Sequence, residues 1–399
     1  MLQSMKILDF SKLLPGPYAT MMLADMGAEI LRVESPNLRD YIRELPPIDG
    51  EDSAVHQHLN RSKKSISLDL KKQEAVDLIK RLVQEYDIIL EQFRPGVMER
   101  LGLDYEVLKE VNPKVIYCSL SGYGQTGPYR NRPGHDNNYL SIAGVAGYSA
   151  RKNERPVPMG IQIADMAGGS LHAVIAILAA VIHRQNTGEG QYVDISMTDS
   201  SFALNAMFGP AYLACGIEPK PEETALNGAT FYDYYETKDG RYFSVGSLEP
   251  HFQKQLCKTL GLTHIIDKAA SMKEADVRLF KEAVQKKFLE KTFHEWIDIF
   301  ADVDACVEPV LSFSEACQHE QLIARKMIVD VPKGNGTTQK QIASPIKSTA
   351  FEPEYKFVGG KRGADTEEIL LKAGLNEVEI RALIENEVIG QLEPKINHH

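Results

Sequence analysis

Cysteine, excess positive charge and long apolar runs are all scarce in this chain, and each shortage removes a class of protein. The five cysteines (Cys118, Cys215, Cys257, Cys306, Cys317) contain no CxxC pair. An odd number without metal-ligand spacing is a poor disulfide framework, so the expectation is reduced core thiols in a cytoplasmic protein. Basic residues are outnumbered, giving a formal net charge of -10, and no general field exists to recruit nucleic acid or an anionic membrane. The longest apolar run, Leu171 to Ile182, contains His172 and falls short of the roughly 20 residues that cross a bilayer, so it reads as a buried helix and no membrane span is expected. The N-terminus MLQSMKILDFSKLLPG has no small-residue cleavage site and reads as a first strand, not a signal peptide. The first turn, Leu14-Pro15-Gly16-Pro17, lacks the G-x-G-x-x-G spacing through which a backbone approaches a pyrophosphate, so no dinucleotide cofactor is expected.

What is present is an ordinary globular composition, 43% hydrophobic and 25% charged, over 399 residues. That length exceeds one core and predicts a large domain with a smaller one. Strand-like and helix-like segments alternate from the start: Lys6–Phe10, Pro17–Met26 and Ala28–Val33, then Ser65–Leu70, Lys72–Glu85, Asp87–Gln92 and Val115–Leu120. This alternation is the α/β signature and implies a mostly parallel sheet. A helix from about Met166, a strand at Gln191–Ile195 and a helix at Thr198–Phe208 follow. The domain expectation is a large domain over 1–215, a polar linker over 216–229, a small domain over 230–320, and a return to the large domain over 321–399. The small domain opens with a predicted hairpin, Thr230–Glu236 and Tyr242–Val245, turning at Asp239-Gly240. The terminal Asn397, His398 and His399 receive no function.

Few positions offer chemistry. His135, after Pro133-Gly134, precedes a helical stretch, where an imidazole projecting into a cleft exchanges protons near neutral pH. Asp165 begins the apolar helix, and Gly168 and Gly169 remove bulk beside it so that a ligand or a neighbouring backbone can approach. Amide groups there are candidates to hold a developing enolate oxygen. Glu249 stands between a strand and Pro250. Candidates for phosphate contact are Arg32, the run Arg61-Ser62-Lys63-Lys64, and Arg94 and Arg100, because α/β sheets bind ligands at the ends of their parallel strands.

Together these segments resemble the family III CoA-transferases, and within them the α-methylacyl-CoA racemase branch. The resemblance is carried by LLPGPYATMMLADMGAEILRVE, NRSKKSISLDLK, EQFRPGVMERLGL, SLSGYGQTGP, PGHDNNYL, ADMAGGS, GEGQYVDISMTDS and YETKDGRYFSVGSLEPHF, over nearly the whole chain. It implies an interlocked homodimer whose subunits each have a Rossmann-like large domain, built from N- and C-terminal parts, around a small α+β domain. It implies an acyl-CoA thioester as substrate, with coenzyme A entering as part of that substrate and no redox or metal cofactor. By the same resemblance Asp165 is a base in racemases and an acyl-accepting nucleophile in transferases. His135 and Glu249 match racemase positions, with Glu249 orienting His135, and Asp136 and Tyr139 supporting the site. The expected reaction is interconversion of (2R)- and (2S)-2-methylacyl-CoA by two-base proton transfer through an enolate, with CoA transfer through an Asp165 acyl intermediate as the alternative. Arg32, Arg61, Lys63, Lys64, Arg94 and Tyr139 are the residues expected to hold the CoA handle.

Overall fold

The computed structural model describes residues 1–38, 40–50 and 52–390; the terminal histidines lie outside the described residues. Six strands, β1 (Lys6–Asp9), β2 (Glu29–Glu34), β3 (Lys64–Ser67), β4 (Ile88–Glu91), β5 (Ile116–Ser121) and β6 (Gln191–Ser196), form one all-parallel sheet. Their spatial order is β3-β2-β1-β4-β5-β6. The central strands are buried on both faces, as Ile88, Ile89 and Leu90 show, which is why they read as continuous apolar runs instead of alternating. The order reverses between β1 and β4, and a crevice opens there at the carboxyl ends of the strands. The loops leaving β1 and β4 meet at this point, where the Gly16 amide donates to Gln92 Oε1 at 3.1 Å. A Cβ on Gly16 would lie 2.1 Å from Ser11 Cβ, so the turn has room for glycine alone. Pro15, in the first turn of helix α1 (Pro15–Asp25), sets the helical φ where no amide donor is needed.

One face of the sheet carries α2 (Gln73–Leu82) together with the C-terminal helices Thr366–Lys372 and Glu377–Glu385. Ile66, Ile79, Ile89, Tyr117, Leu370 and Ile380 share one core there. The polypeptide therefore returns to its first domain at the end. The other face carries α1 and a long helical run in which Ala164–Leu171 is wound as a π-helix and continues as α-helix to Thr187.

Two expectations need correction here. The run Ala164–Thr187 is 24 residues long and contains an 18-residue window of mean hydropathy 1.8, so by length and composition alone it reaches the size of a membrane span. Nor is it wholly buried. Ala173, Val174, Ile177 and Ala180 pack inward, whereas Leu171, Ile175 and Ile182 are exposed on the opposite side, so apolar side chains surround the helix but only one stripe finds protein to pack against. The thiols likewise divide: Cys118 and Cys257 are core residues, but Cys215 and Cys306 are exposed.

The chain forms two compact units. The first comprises Met1–Ala143, Met159–Leu204 and the described part of Ala324–His399; the second comprises Gly144–Pro158 and Asn205–Ile323. The second unit begins before residue 216 and also takes in an earlier segment. Its local bonds explain this, because Tyr148 donates to Asn205 Oδ1 at 2.8 Å and Arg151 makes two bonds to Asp233, at 2.6 and 2.9 Å. Its sheet is antiparallel, β7 (Asp233–Glu236), β8 (Tyr242–Val245) and β9 (Val307–Pro309), with β8 central and the first two joined at Gly240, whose φ is +76°. An aromatic core of Phe231, Phe243, Phe280, Phe288, Phe293 and Trp296 packs in this unit. The chain's single tryptophan satisfies its indole N–H on the Phe288 carbonyl at 2.8 Å.

Candidate active site

His135 caps helix α3 (Asp136–Ile142). Its amide donates to Asn138 Oδ1 at 3.0 Å, and its carbonyl accepts the Asn138 amide at 2.8 Å. The backbone is thus fixed at the helix entry while the residue stays exposed. The next residue, Asp136, is buried, and its carboxylate accepts the Asp165 amide at 3.0 Å. Two segments 29 residues apart are therefore joined, and His135 is brought to the start of the π-helical turn that carries Asp165. Single π turns recur at functional sites because the extra residue breaks the regular ladder.

Asp165 is half-buried. Burial is the main reason that its carboxyl is pushed up to about 6; the neighbouring charge of Asp136 acts in the same direction, and His135 acts against both. The three side chains form one electrostatic group. Ser170, one turn later, anchors the helix by donating to Pro15 O at 2.6 Å and Asp165 O at 3.1 Å.

Tyr139 is buried, and its phenol donates to Gly134 O at 2.5 Å. Its ring is wedged so closely that a Cβ on Gly122 or Gly134 would come within 2.5 or 2.6 Å of it. Tyr139 is thus a strut beneath the peptide that precedes His135. The two glycines after Asp165 have an equally local explanation: a Cβ on Gly168 would meet Met197 O at 3.1 Å, and one on Gly169 would meet Met197 Cγ at 3.1 Å. The close neighbour is helix α4 (Met197–Ala203). Two amides at the helix start are also engaged, since Asp165 N–H bonds Asp136 and Met166 N–H bonds Gln162 O at 2.9 Å. Neither is a free donor for an enolate oxygen.

The basic residues fall into two groups. Arg61 is buried, gripping Asp25 at 2.9 and 2.6 Å and donating to Ile342 O at 2.7 Å. Arg32 is buried between Asp40 and Glu34, the latter at 3.3 Å. Lys63 is buried against Pro17 O at 2.9 Å and Asn60 Oδ1 at 3.1 Å, and burial pulls its ammonium down to about 7 in spite of Asp9. In this arrangement all three cations are turned inward, Arg61 and Lys63 against groups distant in sequence and Arg32 against Glu34 and Asp40 nearby. Lys64 is partly exposed and pairs with Glu368 at 2.7 Å. Arg94 is exposed and lines a cavity of ≈ 580 Å³ with Glu91, Tyr105, Tyr117, Gln125 and Tyr192. Glu91 was not singled out by the sequence reading. It is an acid ending an otherwise apolar strand, and burial raises its carboxyl to about 7.

Glu249 belongs to the second unit. It stands exposed as the cap of the helix Pro250–Leu260, and its charge adds to the burial that raises the Cys306 thiol. Among the described residues, no group of three or more His, Cys, Asp and Glu side chains is arranged to hold a metal ion.

With this geometry established, comparison with known proteins locates the chain. It is 35% identical to the alpha-methylacyl-CoA racemase of Homo sapiens over 398 residues, 97% of each chain. It is also 31% identical to the succinate–glutarate CoA-transferase of Agrobacterium fabrum, over 92% of this chain and 94% of that one. A crystal structure of a CAIB/BAIF family protein from Brucella suis superposes with a TM-score of 0.81 at 28% identity, covering 93% of this chain and 98% of that one. The mixed α/β fold with its parallel central sheet is therefore shared. The family model described as CoA-transferase family III matches residues 2–366, and the chain belongs to that family.

Proposed function

We propose that this chain is an acyl-CoA racemase that interconverts (2R)- and (2S)-2-methylacyl-CoA. The observation that carries the reading is the electrostatic coupling of His135 and Asp165, two proton-transfer groups of which one is poised at about 6. One of them, unprotonated, removes the proton from C2 of the thioester. The electron pair moves onto the carbonyl oxygen, giving an enolate, and the other group, protonated, delivers its proton to the opposite face of C2. The reverse direction needs the complementary protonation states. A carboxyl with its midpoint near 6 supplies both forms close to neutrality, which an aspartate at its ordinary value does not.

The similarity to racemases over nearly full length supports this reading. The similarity to succinate–glutarate CoA-transferases supports a second one, in which Asp165 attacks the thioester carbonyl, expels the CoA thiolate and holds the acyl group as an anhydride. In both, coenzyme A arrives as part of the substrate, and the chemistry calls on no metal or redox group. Of the basic residues, Arg94 and Lys64 are the ones we assign to the CoA phosphates. The exposed apolar side chains Leu171, Ile175 and Ile182 support assembly as a homodimer.

The deciding experiment incubates each enantiomer of a 2-methylacyl-CoA in deuterium oxide, with and without a carboxylate acceptor. Racemisation puts deuterium at C2 and converges on a mixture without the acceptor. Transfer leaves C2 untouched, needs the acceptor and is trapped by hydroxylamine.

A further inference from the structure

Just ahead of His135 the loop Gly122–Pro133 carries two arginines, Arg130 and Arg132, both exposed. Among the described residues neither has a carboxylate within ion-pair distance, and the same holds for Arg94. Arg32, Arg43 and Arg61 of the same unit, by comparison, all have acidic partners.

Arg132 is also held in place. Its guanidinium carbon lies over the Tyr129 ring, 3.8 Å from the centroid. Tyr129 meets Tyr123 edge-on at 5.6 Å, and Tyr123 meets Tyr139 edge-on at 5.2 Å. Tyr139 is the residue bonded to Gly134 O, beside His135. The loop is further tied down where the Thr198 hydroxyl donates to Gly122 O at 2.7 Å and where the Gln125 amide donates to Asp194 at 2.9 Å. A guanidinium over a ring is held by cation–π attraction, and its N–H groups are donors of the kind that pair with a phosphate or a carboxylate. Its loop position is three residues from His135, roughly 10 Å of chain at most.

We propose that Arg132, carried on the Tyr129–Tyr123–Tyr139 stack, is a docking residue for an anionic group of the thioester substrate. The inference rests on the acyl-CoA reading above and adds a specificity residue to it. The anion is either a phosphate of the CoA handle or a distal carboxylate on the acyl group, chemically equivalent partners for the fork. The ring stack makes the docked anion part of the same rigid assembly as the peptide before His135.

The test is calorimetric titration of the full chain, without turnover, using four probes: coenzyme A, dephospho-coenzyme A, and the glutaryl and butanoyl thioesters of pantetheine. Arg132→Ala is expected to weaken either the coenzyme A pair or glutaryl-pantetheine about tenfold while leaving butanoyl-pantetheine unchanged, with Arg132→Lys in between. Loss confined to the coenzyme A pair identifies a phosphate, and loss confined to glutaryl-pantetheine identifies the distal carboxylate. Equal affinity of parent and Arg132→Ala for all four probes overturns the proposal, as does absence of binding to the parent. Deuterium exchange at C2 is scored separately. An Arg132 effect without exchange keeps the anion site and removes racemisation; exchange without an Arg132 effect does the reverse.

Discussion

The Asp165 amide donates to the Asp136 carboxylate at 3.0 Å, so the residue after His135 helps to position Asp165 and adds its charge to the burial that raises the Asp165 carboxyl. A carboxylate used as a helix-start acceptor is common; here it also places a second negative charge beside the proposed base. Asp136 is in this sense a positioning residue.

Asp136→Asn keeps an oxygen acceptor and deletes that charge. The Asp165 carboxyl then ionises at lower pH, and the acid limb of the kcat/KM profile moves down with it. A pH–rate series on parent and variant measures the shift. An unmoved limb would mean that Asp136 does not tune the base.

Asp165→Asn separates activity from stability. Turnover falls by about 100- to 10,000-fold, as expected on removing a proton-transfer group. Stability moves the other way. The folded carboxyl ionises at about 6 and its ordinary value is 3.8, so the folded state holds a proton that the unfolded chain has already lost between those values. Stability therefore falls as pH rises through that window, and the deficit is complete above about 6. Asn removes the deficit. Allowing for partial exposure, the variant gains about 1–2 kcal/mol at pH 8 and nothing near pH 3, read by urea unfolding at both.

Tyr139→Phe leaves the ring wedge and removes the bond to Gly134 O. The expected loss is about 1–2 kcal/mol of stability, with a lower kcat and an unchanged KM, because the substrate is still bound but His135 is less firmly placed. A rise in KM with kcat intact would point instead to direct contact with the CoA handle.

Arg61→Ala and Arg94→Ala distinguish two kinds of basic residue. Removing Arg61 strands Asp25 in the interior and costs about 3–5 kcal/mol, visible as a lower melting midpoint. Removing the exposed Arg94 leaves the midpoint in place and raises KM for the CoA thioester. Equal effects of the two on melting would contradict the division.

The sequence was a good guide to the sheet because buried parallel strands announce themselves as short apolar runs, and Ile88–Glu91 and Ile116–Ser121 were found within a residue or two. Val307–Pro309 went unseen, since three residues are too few to show a period. The π turn at Ala164–Leu171 has no sequence period of its own. The inward packing of Arg32, Arg61 and Lys63 was not legible for a different reason. Asp25 lies 36 residues from Arg61, and Asp9 farther still from Lys63, so only the fold brings these together, whereas Arg32 pairs with the nearby Glu34 and Asp40. The places of His135 and Asp165 at helix starts were legible from their flanking residues, and the bond from Asp136 that joins the two segments was not.

The most direct test of the central claim follows proton exchange in the two single-base variants. His135→Ala and Asp165→Asn are each incubated with pure (2R) and pure (2S) thioester in deuterium oxide, and deuterium at C2 is measured alongside configuration. Two bases on opposite faces predict that each variant still exchanges one enantiomer without inverting it, and that the two variants spare opposite enantiomers. Loss of exchange with the same enantiomer in both variants, or full inversion surviving in either, would contradict the account.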